Sequence, residues 1–235
     1  MADAIVLSTV EKGTASERAR WCAWIELAIA YVLIMTVTWS ARPLQRVLWL
    51  LAVTGIVIIF ARSWEGWRAL GLRIANFWRS VWIVAAAIAA AGTAILVAGQ
   101  MDTLNLPAGG VTGFIRTYIG YAIWAGVQQL LLQGLFMQRL VRAIPYERHA
   151  ALIAAVLFAV AHMPSFVLVP ITLIWGLVAC LHFLRYRNLF PLMIAHAILG
   201  IAVAVTIPGP VDHNMRVGLG YVTYSPHHHA QRFIR

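Results

Sequence analysis

Three glutamines and two histidines stand in stretches that are otherwise apolar: Gln128, Gln129 and Gln133, then His162 and His196. A polar side chain at bilayer depth is costly, usually faces the inside of a bundle, and is a candidate for function. An amide both donates and accepts, and a neutral imidazole offers one donor and one acceptor nitrogen, so these five side chains can hold a carbonyl, a hydroxyl or a water. Imidazole also moves protons near neutral pH and ligates zinc, copper or nickel, which makes His162 and His196 candidate catalytic residues and candidate metal ligands. Gln129 and Gln133 are four apart and share a helix face; Gln128 lies about 100° round, on the line of Tyr121 and Trp124. Phe158 stands one turn before His162. Gly200 and Ala204 follow His196 at four-residue spacing, small enough to admit a neighbouring helix beside the imidazole. The same amides and imidazoles could also serve only as hydrogen-bond glue between helices.

The elements that must position these groups are membrane helices. Of 235 residues 62% are hydrophobic and only 11% charged, and the mean hydropathy is +0.80. A water-borne globule is about half apolar and about a quarter charged, so this chain is an all-α, polytopic helix bundle in a bilayer. Apolar stretches run over 21–39, 47–61, 80–99, 113–137, 149–162, 165–184 and 188–207, which predicts about seven transmembrane helices. The division expected is an N-terminal segment 1–20, one membrane domain 21–207 with its polar core in 113–207, and a tail 208–235. The net charge of +10 does not point to nucleic acid, because the cations sit between apolar stretches. Lys12, Arg18, Arg20, Arg62, Arg68, Arg73, Arg79, Arg139, Arg142, Arg148, Arg185 and Arg187, 12 of the 18, fall on the side of the N-terminus. The positive-inside rule then gives a plasma (inner) membrane protein with a cytoplasmic N-terminus and an external C-terminus.

Other features have plainer readings. Residues 62–79, with Trp64, Trp67 and Trp78 among four arginines, predict an interfacial helix. Cys22 and Cys180 are too few for a disulfide framework and read as reduced packing residues. His182 sits with Arg185 and Tyr186 at an interface, and Glu26 is placed to snorkel or to lie buried near the depth of Gln129. Three consecutive histidines, His227 to His229, bind metal ions weakly in any flexible tail. Pro208, Gly209 and Pro210 predict a loop that returns over the membrane or lies on its surface; the glycines at 218 and 220 suit tight turns.

Over roughly 120–205 the chain resembles the CAAX-protease and bacteriocin-processing family, membrane-embedded proteases that include type II CAAX prenyl endopeptidase. The family pattern is Glu-Glu-x-x-x-Arg, then Phe-x-x-x-His, then His-x-x-x-Asn. Here stand Gln128-Gln129-Leu-Leu-Leu-Gln133, Phe158 to His162, and His196-Ala-Ile-Leu-Gly200, with Gly134, Gly176 and Phe190-Pro191 in familiar places. The resemblance implies an intramembrane endopeptidase in which glutamates and histidines activate water. It implies catalytic places for His162, His196 and Gln129, and substrate-binding places for Gln128, Gln133, Tyr121 and Phe158. The acidic pair, the arginine and the asparagine are missing, and a glutamine amide cannot act as a base. The substitutions together remove a whole charged cluster and leave a neutral polar one. Two readings follow: a protease homologue with altered or lost peptidase activity, or a non-catalytic subunit, assembly factor or binder of lipid, peptide or pigment. A divalent metal such as zinc is compatible with the histidines but not required by the sequence. The partners expected are the lipid bilayer and a membrane protein or peptide. A transporter is a third reading, but no inverted repeat or broken helix pair supports it.

Overall fold

The computed structural model describes residues 2–62, 64 and 66–225, with side chains from residue 16 onward. Its elements in chain order are α1 (Ala2–Thr38), α2 (Arg42–Arg62), α3 (Phe77–Ser80), α4 (Trp82–Gln100), α5 (Gly110–Gln129), a π-helical segment (Leu130–Met137), α6 (Gln138–Ala143), α7 (Glu147–Val160), α8 (Leu168–Tyr186), α9 (Phe190–Thr206), α10 (Gly209–Asp212) and α11 (Leu219–Val222). Each predicted apolar stretch lies mostly in a helix, with 161–162, 165–167 and 188–189 outside α7, α8 and α9. Ser16–Thr38, Arg42–Arg62, Phe77–Gln100 and Leu168–Tyr186 are long and apolar enough to cross a membrane, and Phe190–Thr206 is apolar but shorter. Pro43 and Pro191 lie in the first turns of α2 and α9, where the missing N–H has no helical acceptor to lose.

The helices pack through small residues. The inner face of α7 buries Ala150, Ala151, Ala154, Ala155 and Ala159, and a Cβ added to Gly176 of α8 would stand 3.2 Å from Ala155 Cα. Without a hydrophobic drive between helices in lipid, such close approach maximises dispersion contacts. One apolar cluster joins α1, α2, the π segment, α6 and α7; a second joins α4, α8 and α9, and Phe158 touches both. Leu51, Ile58, Leu96, Ile123 and Ile174 point outward and remain exposed, a surface suited to lipid.

Polar contacts define the two ends of the bundle. At one end Arg20 Nε donates to Ala143 O at 3.3 Å, while Arg73 donates to the carbonyls of Arg187 at 2.8 Å and Tyr186 at 3.1 Å. At the other end Asn105 N donates to Val205 O at 2.8 Å, and Gly218 N donates to Met163 O at 2.7 Å.

Several expectations need correction. Residues 67–76 are mostly turns and bends, not an interfacial helix, and only the short α3 follows. Gly66 and Gly71 adopt φ of +89° and +79°, which ends any helix there. The arginine of this stretch that reaches furthest in, Arg73, caps α8, whose last carbonyls have no helical partner. His182 is buried, not interfacial, and its Nε2 lies 3.0 Å from Ser80 O. The helix expected to stop at residue 137 continues to Ala143, because Arg139 is buried against α1 and does not belong to a loop. His227 to His229 lie outside the described residues.

Candidate functional site

The α5, π and α6 segments form one rod, and α7 returns beside its second half after the turn at 144–146. Gln128 stands fifteen residues before Ala143 and His162 fifteen after Glu147, so the antiparallel return brings them level. Gln128 Nε2 lies 3.5 Å from His162 Nε2. His162 Nδ1 lies 2.7 Å from Phe158 O, a carbonyl that can only accept. The proton therefore sits on Nδ1, and His162 turns an accepting Nε2 toward Gln128.

One residue further on, Gln129 makes the second glutamine–histidine pair. Its Nε2 lies 3.1 Å from His196 Nδ1, and its Oε1 accepts from Gln133 Nε2 at 3.4 Å. Gln133 Nε2 also faces Cys180 Sγ at 3.7 Å. With the Gln129 oxygen occupied, its nitrogen faces Nδ1, the arrangement in which Nδ1 accepts and the imidazole proton sits on Nε2; the carbonyl of Ala125 is a further backbone acceptor for the ring. Gln129 and Gln133 are fully buried. The ring of His196 is flanked by Phe158 and Trp175, each with its centroid 5.8 Å away. Gln129 leads into a π segment, a geometry often found at functional sites and one that no residue pattern marks in advance.

Both histidines line a cavity of about 590 Å³ together with Gln128, Tyr121, Trp124, Phe158 and Trp175. Gln129 and Gln133 stand behind it. Tyr121 reaches the cavity because Gly200 has no side chain: a Cβ there would overlap the phenol oxygen. The walls are aromatic and aliphatic, with α1 supplying Tyr31, Ile34 and Thr38 and the tail supplying Asp212, Asn214 and Met215.

Among the described residues no carboxylate forms an ion pair with His162 or His196. Glu26 Oε2 accepts from Arg139 Nε at 3.0 Å, and the guanidinium also reaches Gly134 O and Ile59 O, each at 3.4 Å. Glu147 lies 4.0 Å from Arg187 at an exposed end. Asp212 is buried at the cavity wall, its Oδ1 accepting from Asn214 N at 2.9 Å. Burial pushes its carboxyl above the usual carboxylate range, opposed by N–H donors of Asn214 and Met215. Nor do the residues fit zinc: a zinc site draws at least three ligands from the protein, and among the described residues no three His, Cys, Asp or Glu side chains converge. Sequence reasoning passed over Trp175, since a tryptophan in an apolar run carries no local signal; the stretch Asp212 to Arg216 stands out in the sequence, but nothing there assigns it a role.

Residues 111–202 match the family model described as type II CAAX prenyl endopeptidase Rce1-like. No curated protein and no solved structure matches the chain. The matched stretch holds all three glutamines and both histidines of the site. Through residues 111–202, the chain is thus similar to the type II CAAX prenyl endopeptidase Rce1-like family.

Proposed function

We propose that this chain binds an amphipathic, carbonyl-bearing substrate in the cavity, as a CAAX-protease-type membrane protein whose glutamate-driven hydrolysis is altered or lost. One observation carries the reading: the hydrogen bond from Gln129 Nε2 to His196 Nδ1. A carboxylate at that position would accept from Nδ1–H and leave Nε2 as a base. The amide donates instead and leaves a proton on Nε2, so His196 can hold a carbonyl oxygen but cannot draw a proton from water. The cavity volume of about 590 Å³ is in the range of small-ligand sites. Its apolar walls suit a lipid, a pigment or an extended peptide.

A second reading is favoured by His162. Its Nδ1–H is pinned to Phe158 O and its Nε2 accepts, the orientation a general base needs. Peptidase activity without glutamates would rest on this imidazole. The arginine distribution favours a cytoplasmic N-terminus, and the end holding Thr38, Met163 and the tail then faces outward.

The test compares membrane-protein termini by mass spectrometry in cells carrying the wild type and cells carrying His162→Ala plus His196→Ala at equal expression. Unchanged termini are expected, together with loss of a co-purifying lipid or peptide from the double variant. A processed terminus that vanishes in the double variant would sink the binding reading and establish proteolysis through His162.

A further inference from the structure

The cavity wall formed by the C-terminal segment is built unlike the rest of the bundle. Residues 208–224 fold into a small unit closed mostly upon itself. Asn214 N donates to Gly209 O at 3.1 Å and to Asp212 Oδ1 at 2.9 Å. The ring of His213 stacks on Tyr221 and Tyr224, with centroids 3.8 and 4.7 Å away, and Asn214 Nδ2 donates to Tyr224 Oη at 3.2 Å. His213, Asn214 and Met215 are three successive non-glycine residues at φ near +55°. Left-handed backbone is unfavourable for each of them and persists only where surroundings enforce it.

Two of the places where the unit joins the bundle are the chain connection and a backbone hydrogen bond. The connection runs through Ile207 and Pro208 at the end of α9. The other is a latch at Gly218, whose N–H donates to Met163 O at 2.7 Å and whose missing side chain leaves room for Thr38 at the end of α1; a Cβ there would overlap Thr38 O. Met163 directly follows His162, so the latch ends beside the site.

We propose that residues 208–224 form a hinged lid over the end of the cavity, with the Gly218–Met163 bond as its latch. The lid moves as one piece because its strained turn and stacked rings are held within it, while the Gly218–Met163 bond and the close contact with Thr38 hold its far end against the helices. Opening exposes the His162 end of the cavity to water. Closing leaves Asp212, Asn214 and Met215 as its wall.

The test reads water access beside the site. In a Cys22→Ser background, Ala161→Cys places a thiol at the cavity next to His162, and a membrane-impermeant sulfonated thiol reagent reports its exposure. Gly218→Val, which cannot latch, is expected to raise the labelling rate about tenfold, the change a lost hydrogen bond of about 1.4 kcal/mol gives. A folded Gly218→Val protein that labels at the parent rate overturns the lid. Hydrogen exchange on the unaltered protein decides independently of any variant. The lid predicts that peptides covering 208–224 and 161–167 gain deuterium together, faster than α9 and slower than unstructured chain. Exchange of 208–224 as slow as α9, or as fast as free chain, overturns it.

Discussion

Arg139 and Gln129 sit ten residues apart on one rod, both buried, yet one is a cation held by Glu26 at 3.0 Å and the other an amide held by His196 at 3.1 Å. The Arg139 patch is packed solid, its charge matched by a carboxylate from α1 and by carbonyls of the rod and α2. The Gln129 patch backs onto a cavity. A charge facing a space that is sometimes empty lacks compensation whenever the ligand is away, and an uncompensated ion in low dielectric costs several kcal/mol. Amides and neutral imidazoles bond among themselves, leaving Gln133 Oε1 and Trp175 Nε1 as buried polar atoms without a partner, and an unpartnered neutral group costs less than an unpartnered ion. The difference teaches where this membrane protein tolerates charge: in the seam between helices, not at the site.

The largest way to break that comparison is to unbalance the charged patch. Glu26→Ala leaves the guanidinium of Arg139, 1% exposed, without its carboxylate, and should cost about 3–5 kcal/mol of stability. Thermal unfolding in detergent reads this, and adding Arg139→Leu should restore most of the loss. If the single variant melts no lower than the double one, α1 is not held to the rod through this pair.

Next comes adding charge to the neutral patch. Gln129→Glu puts a carboxylate where burial is complete, at a cost of about 3 kcal/mol, and moves the proton of His196 from Nε2 to Nδ1. Nitrogen-15 shifts of the imidazole report the tautomer directly. A variant that keeps normal stability, function and the Nε2–H tautomer would end the idea of a site tuned to neutrality.

Much of this contrast was legible from residues alone. The stripe of Gln129 and Gln133, the separate line of Gln128, Tyr121 and Trp124, and the small residue at Gly200 all follow from helical spacing, and the fold keeps them. What escaped depends on partners far away in sequence. Arg139 read as a loop cation because its carboxylate lies on α1, 113 residues away. His182 read as interfacial because its acceptor, Ser80 O, is 102 residues off. The turns at 67–76 were hidden by arginines and tryptophans that mimic an amphipathic helix, although Gly66 and Gly71 were a visible warning. Asp212 belongs to a left-handed turn that no local pattern announces, and the π segment has no sequence signature.

The close approach at Gly200 sharpens the comparison by showing how the neutral patch meets its cavity. Gly200→Ala should displace Tyr121 and cost about 1–3 kcal/mol. Because a Cβ there would overlap ring carbons as well as the hydroxyl, Tyr121→Phe should not rescue it, whereas Tyr121→Ala should. Rescue by phenylalanine would show that the oxygen alone makes the conflict and that the ring has room to move.

The smallest effect separates the two glutamine–histidine pairs. Gln128 is half-buried and 3.5 Å from His162, at the limit of a hydrogen bond, while His162 keeps its shorter bond to Phe158 O in any case. Gln128→Ala should therefore cost at most about 1 kcal/mol of stability, far less than a change at Gln129, which anchors both His196 and Gln133. Its effect should fall on ligand binding instead, because Gln128 lines the cavity and Gln129 does not. Thermal unfolding with and without the co-purifying ligand tests this: Gln128→Ala should lower the ligand-induced rise in Tm more than the Tm of the free protein. The reverse pattern would make Gln128 another structural amide and leave His162 alone at the cavity wall.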